Sequence, residues 1–160
     1  MTIFIVNNNI IFAKWALGFD VYGVDMSETA IDFAKNRFDI AGLEYKSLQE
    51  RDIRKLKFNN DFFDAVIDRT AIQHNTFKEA KQIASEVHRV LKPKGHFYSC
   101  LVTNDYQDEH VGVTRHFYTQ DEIKELFSSF EIMHWYYTTC SEVLTPEKIT
   151  GFYHVELRKV

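Results

Sequence analysis

The sequence predicts an α/β domain in three layers, with a mostly parallel sheet that ends in an antiparallel hairpin. Three observations carry this. Short apolar runs recur, and two of them, residues 21–25 and 63–68, end on a carboxylate, Asp25 and Asp68. Amphipathic helical stretches stand between the runs, so the strands are joined by crossover helices and lie parallel. Near the end Tyr153, Val155 and Leu157 alternate with His154, Glu156 and Arg158, the period of a strand with one wet face.

The elements follow in order. Residues 3–6 read as a first strand, followed by Asn7-Asn8-Asn9 and an apolar helix over 10–17. Asn side chains accept from orphan N–H groups at a helix start, and Gly18 supplies a left-handed stop. The alternative is one irregular helix with no first strand. Residues 21–25 form a buried strand. Ser27 caps a helix to about residue 38, with Ala30, Ile31, Ala34 and Phe38 on one face. Gly42 punctuates, a strand follows over 43–47, and a charged connector leads to the strand at 63–68.

Thr76 and Glu79 form a capping box. Behind it Ala80, Ile83, Ala84, Val87, Val90 and Leu91 make a wide apolar face. Lys92-Pro93-Lys94-Gly95 stops that helix, and a strand runs over 96–102. Thr119 and Glu122 form a second box, before a helix that turns Ile123, Leu126, Phe127 and Phe130 inward. Residues 131–140 and 152–159 close the chain as two long strands.

Composition bounds the reading. The 160 residues suit one domain over 1–160, and 45% hydrophobic content excludes general disorder. A net charge of -4 argues against a nucleic-acid backbone as partner. No apolar run approaches the ~20 residues that span a bilayer, and the first residues lack the features of a signal peptide. Cys100 and Cys140 both fall in expected strands and read as buried, reduced thiols of a cytoplasmic protein. No His pair has ligand spacing on a helix, so no metal site is expected. No Gly-x-Ser-x-Gly elbow occurs either.

Four motifs in order resemble those of class I S-adenosylmethionine-dependent methyltransferases of the small-molecule type. They are Asp20-Val21-Tyr22-Gly23-Val24-Asp25-Met26, Asp52-Ile53, Phe63-Asp64-Ala65-Val66-Ile67 leading to Ile72-Gln73-His74, and Arg89-Val90-Leu91-Lys92-Pro93-Lys94-Gly95. The resemblance implies a Rossmann-like three-layer sandwich, S-adenosylmethionine as cofactor and in-line methyl transfer to a small polar molecule. Asp25 either caps the next helix or accepts both ribose hydroxyls, for which a carboxylate has two acceptor oxygens and no donor. Met26 packs against adenine or in the core. Asp52 accepts from the adenine amino group or is a solvated loop acid, and Ile53 flanks the ring. Asp68 and Arg69 fall at the methionine end of the cofactor, where Arg69 holds a carboxylate or lies on the surface. His74 is the general-base candidate. Arg115, His116 and Tyr118 fall in the segment that lines the substrate pocket.

One part of the family pattern has no counterpart. The first strand should end in an acid and a glycine-rich turn, yet no glycine precedes Gly18. Asn7, Asn8 and Asn9 tolerate left-handed backbone, but their side chains occupy volume the cofactor needs. The resemblance therefore implies a front end that is lost or remodelled. Three functions follow: an active methyltransferase, a truncated or degenerate methyltransferase-fold protein without catalysis that binds nucleoside or serves as a partner subunit, and a dinucleotide-dependent oxidoreductase. Completion of the first by a second subunit would place a homo-oligomer contact in the N-terminal segment.

Overall fold

The computed structural model describes residues 18–103, 115–141 and 149–160, and the backbone of residues 2–6. The strands are β1 (Thr2–Val6), β2 (Asp20–Asp25), β3 (Ser47–Glu50), β4 (Phe63–Arg69), β5 (Leu91–Val102), β6 (Phe130–Ser141) and β7 (Ile149–Lys159). The helices are α1 (Glu28–Ala41), α2 (Phe77–Val90) and α3 (Gln120–Leu126), with a 3-10 turn at Ile72–His74. One sheet runs β3-β2-β1-β4-β5-β7-β6. Its first five strands are parallel, and β7 is antiparallel to both β5 and β6. The expected first strand is therefore present and central, with Ile3 in register with Val21 on one side and Ala65 on the other. The expected helix over 10–17 lies outside the described residues.

Alternation along the strands separates two cores. Val21 of β2 joins Phe19, Ile31, Ala34, Phe38 and Leu48 beneath α1. Val24 and Val66 face the opposite way, into a larger core with the apolar faces of α2 and α3 and with Phe97, Leu101, Val155 and Leu157. Helices on both faces make the three layers. The caps form as the sequence requires: Ser27 Oγ accepts from Ala30 N at 3.3 Å, and both capping boxes close. Gly18 takes the left-handed backbone of a stop, at φ 68°.

Two boundaries differ from expectation. The strand expected at 43–47 lies at Ser47–Glu50. Leu43 and Tyr45 are used instead to cover the end of α1, where Gly42 at φ 62° lets Leu43 N reach Phe38 O at 3.0 Å. β5 begins at Leu91 rather than at residue 96. Phe63 pairs with Leu91 and Ala65 with His96, so residues 92–95 bulge out of the ladder. Gly95 is required there: an added Cβ would sit 2.8 Å from Lys92 O and 3.2 Å from Asp64 O. Gly95→Ala is expected to cost about 1–3 kcal/mol, because backbone must move to admit the methyl. Urea denaturation reads this as a lower midpoint at unchanged slope.

The cysteines divide. Cys100 is buried and Cys140 is exposed, and both are free. The expectation of two buried thiols fails at Cys140 because β6 is the outer strand and its far half is covered on neither face.

Candidate functional site

The strand order reverses between β1 and β4, and crevices outside the carboxyl ends of strands at such a switch point bind ligands in open α/β sheets. A cleft opens at that end of the sheet, lined by Asp25, Met26, Ile53, Thr70, Ala71, His74 and Asn75. Four of these, Asp25, Met26, Ile53 and His74, are residues the sequence singled out.

Asp25 ends β2 half-buried. Its Oδ1 accepts from Ser27 N at 2.9 Å, while Ser27 itself caps α1. Among the described residues no donor reaches Oδ2, so the carboxylate keeps acceptor capacity toward the cleft. Met26 is 59% exposed beside it, and Ile53 is buried at 5%, a flat apolar wall.

Asp52 does not line the cleft. Its carboxylate takes Arg54 N, Nε and Nη2 at 2.7–2.9 Å. The Arg54 side chain holds the Asp52 carboxyl below the usual carboxylate range. Arg54 also reaches Glu79, the acid of the α2 capping box. Asp52 thus fixes the turn that presents Ile53. The rest of this connector is fastened to α2 by Arg89. Its Nη1 donates to Phe58 O and Asn60 Oδ1, its Nη2 to Leu56 O and Glu86 Oε2, and its Nε to Glu86 Oε1, all at 2.8–2.9 Å.

Asp68, at the end of β4, is only 2% exposed. It accepts from Ser99 Oγ at 2.8 Å, Ala71 N at 3.0 Å and Ile72 N at 3.3 Å, and so shapes the turn that carries His74. Burial pushes its carboxyl up to about 6, against the pull of those three donors. A carboxyl that binds protons more tightly folded than unfolded stabilises below its unfolded value of 3.8 and loses that contribution as pH rises through 6. The stability of wild type relative to Asp68→Asn is therefore expected to rise by about 2 kcal/mol between pH 7 and pH 4. Paired urea titrations check it; a difference that stays flat with pH refutes it.

The sequence did not single out Thr70, Ala71 or Asn75, and it offered Gln73 only as a member of the Ile72-Gln73-His74 motif, with no role of its own. Thr70 has φ 68°, left-handed backbone that a β-branched residue rarely adopts, and its N–H donates to Cys100 O at 3.0 Å. The Asn75 amide caps the turn through Ala71 O and Ile72 O. Gln73, 2% exposed, accepts from Val102 N at 2.9 Å and, through its carbonyl, from His116 N at 2.7 Å. Thr70 and Ala71 sit between the two fragments of the β4 motif, Gln73 lies inside the second and Asn75 directly follows it, which was the available signal.

Arg69 is exposed at the end of β4. None of the residues expected to line a substrate pocket borders the cleft described above. Arg115 is half-buried, with Nε enclosed and, among the described residues, without a hydrogen-bond partner. His116 pairs with Glu122 Oε1 at 2.9 Å and stacks on Phe77. Tyr118 lies in the core rather than on a rim, because its backbone bridges Thr103 and its ring packs by Phe77 and His116. Burial pushes its phenol well above the usual range. Among the described residues no group of three or more His, Cys, Asp or Glu could hold a metal, and no helix is long and apolar enough to cross a membrane. Asn7, Asn8 and Asn9 lie outside the described residues.

Sheet order, switch point and an acid at the end of β2 define a Rossmann-like α/β protein of the class I methyltransferase fold. A family model of methyltransferase domains matches residues 9–145. The chain belongs to that methyltransferase-domain family. Its fold is similar to that of a SAM-dependent methyltransferase from Methanosarcina mazei, with TM-score 0.81 and 21% identity over 99% of this chain and 92% of that one. It is also similar to the N-methyltransferase NodS from Bradyrhizobium japonicum in complex with S-adenosyl-L-homocysteine, with TM-score 0.74 and 13% identity over 99% of this chain and 77% of that one. An uncharacterized protein of Haemophilus influenzae is 33% identical over 94 residues, which are 56% of this chain and 38% of that protein. The chain thus matches well under half the length of this curated relative.

Proposed function

We propose that the chain is an S-adenosylmethionine-dependent methyltransferase acting on a small polar molecule. The observation that carries the reading is the convergence of Asp25, Met26, Ile53 and the turn bearing His74 on one cleft at the switch point. The donor chemistry fits a nucleoside. Among the described residues no donor takes the second oxygen of the Asp25 carboxylate, which suits a ribose diol, and Ile53 offers a buried apolar wall for a base. Met26 flanks the other side of the base. Arg69 answers the carboxylate at the methionine end, while Asp52 and Asp68 act one step back by fixing the two turns.

S-adenosylmethionine supplies a methyl group activated by its sulfonium leaving group. What remains for the protein is to align the acceptor in line and exclude water. His74 takes the proton that a protonated acceptor nucleophile releases.

A second reading, a methyltransferase-fold protein without catalysis, is favoured by the lack of any glycine before Gly18. One experiment tests the cofactor site on which the first reading rests. Isothermal titration with S-adenosylmethionine and S-adenosylhomocysteine is expected to give saturable one-to-one binding. No heat at millimolar cofactor would overturn the first reading. The antiparallel ending, β7 between β5 and β6, gives the oxidoreductase no support.

A further inference from the structure

The two edges of the sheet are built differently. The β3 edge is 4 residues long and exposes Gln49 and Glu50, a short and partly charged edge of the kind that resists pairing with another chain. The β6 edge is 12 residues long and, among the described strands, pairs only with β7. From Ile132 to Ser141 it contains no Asp, Glu, Lys, Arg or Pro. Its single acid, Glu131, is neutralised by Arg158 at 2.7 Å. Ile132, Met133, Tyr136 and Tyr137 are 36–46% exposed, the densest set of exposed large apolar side chains among the described residues.

The strand is also held rigid in pairing geometry. It is in register with β7 from Phe130 to Ser141, with one irregularity, between Ile132 and His134. His154 of β7 stacks on Tyr136 at 4.7 Å and 4°, and bonds Thr138 Oγ1 at 2.7 Å. Trp135 packs edge-on against Tyr153 on the opposite face. From residue 134 onward β6 pairs with β7 without interruption, so its outer backbone row is a preformed template.

We propose that β6 is a dimer interface, pairing antiparallel with β6 of a second copy across a two-fold axis to give one continuous sheet. Charge selects this occupant. Each copy carries a formal net charge of -4, and the run from Ile132 to Ser141 lets two copies pair strand to strand with no like charges directly opposite. An antiparallel strand pairs with its own copy using every outward N–H and C=O, as an isologous interface requires. The strand is also long: 12 residues run about 40 Å at the rise of an antiparallel strand, a full ladder for a second β6 to pair with.

Sedimentation velocity of the full chain across ~1–200 µM tests the proposal, beside the double variant Met133→Lys/Thr139→Lys and the control Phe33→Lys on the exposed face of α1. Neither Met133 nor Thr139 makes a side-chain hydrogen bond in the structure, and circular dichroism confirms that each variant folds. The expected result is a concentration-dependent dimer whose dissociation constant rises at least 100-fold in the double variant and is unchanged in the control. Alternate amides over 134–141 should exchange at least ~10-fold more slowly in the dimer, as one side of a new ladder is protected. A monomer throughout the range overturns the proposal. So does a dimer that survives in the double variant, or one that Phe33→Lys dissolves.

Discussion

Asp25→Ala is expected to weaken S-adenosylhomocysteine binding by at least ~100-fold, the loss of two hydrogen bonds to a charged acceptor. The carboxylate ends β2 at the mouth of the cleft, and only Ser27 N draws on it among the described residues. Asp25→Asn sharpens the test. Its amide oxygen still accepts from Ser27 N, so the start of α1 is kept, but its NH2 group turns a donor toward a diol that needs acceptors. Titration calorimetry should therefore show most of the affinity lost in the Asn variant at an unchanged melting temperature. Binding retained in both variants would rule out Asp25 as the ribose acceptor.

Arg89→Ala should be the most destabilising single change outside the apolar core, by about 2–3 kcal/mol. All five N–H donors of Arg89 are engaged, three of them on residues of the connector between β3 and β4. Removing the guanidinium also strands the Glu86 carboxylate, which is held below its usual range chiefly by Arg89. Lys cannot replace a planar five-donor fork, so Arg89→Lys should recover less than half of the loss. Thermal melts followed by circular dichroism would read a fall of roughly 5–10 °C for Ala. A change within 2 °C, on the order of 1 kcal/mol or less, would show that the connector holds without its clasp.

The sequence made the sheet legible because its signals are local. Alternation gave β7, the two Thr-x-x-Glu boxes gave the starts of α2 and α3, and Ser27 after Asp25 gave the end of β2. The site was legible only in part, since it depends on partners distant in the chain. Asp25 and Asp68 look alike in sequence, each an acid closing an apolar run. Asp68 is buried because β5 lies beside β4 and sets Ser99 opposite it, a pairing across 31 positions. Asp52 reads as a ligand for adenine until Arg54 is seen to link it to Glu79, 25 positions further on. The left-handed Thr70 leaves no trace in composition, because nothing in its residue type asks for that backbone.

Glu79 belongs to two structures at once, closing the first turn of α2 through Thr76 and receiving Arg54 from the turn that presents Ile53. Free energy linked through a shared group is reciprocal. Whatever seats itself against Ile53 and steadies that turn must also lower the fraying of the helix start, and fraying there must loosen the wall. The amide protons of the first turn of α2 are then a gauge of occupancy in a cleft they never touch.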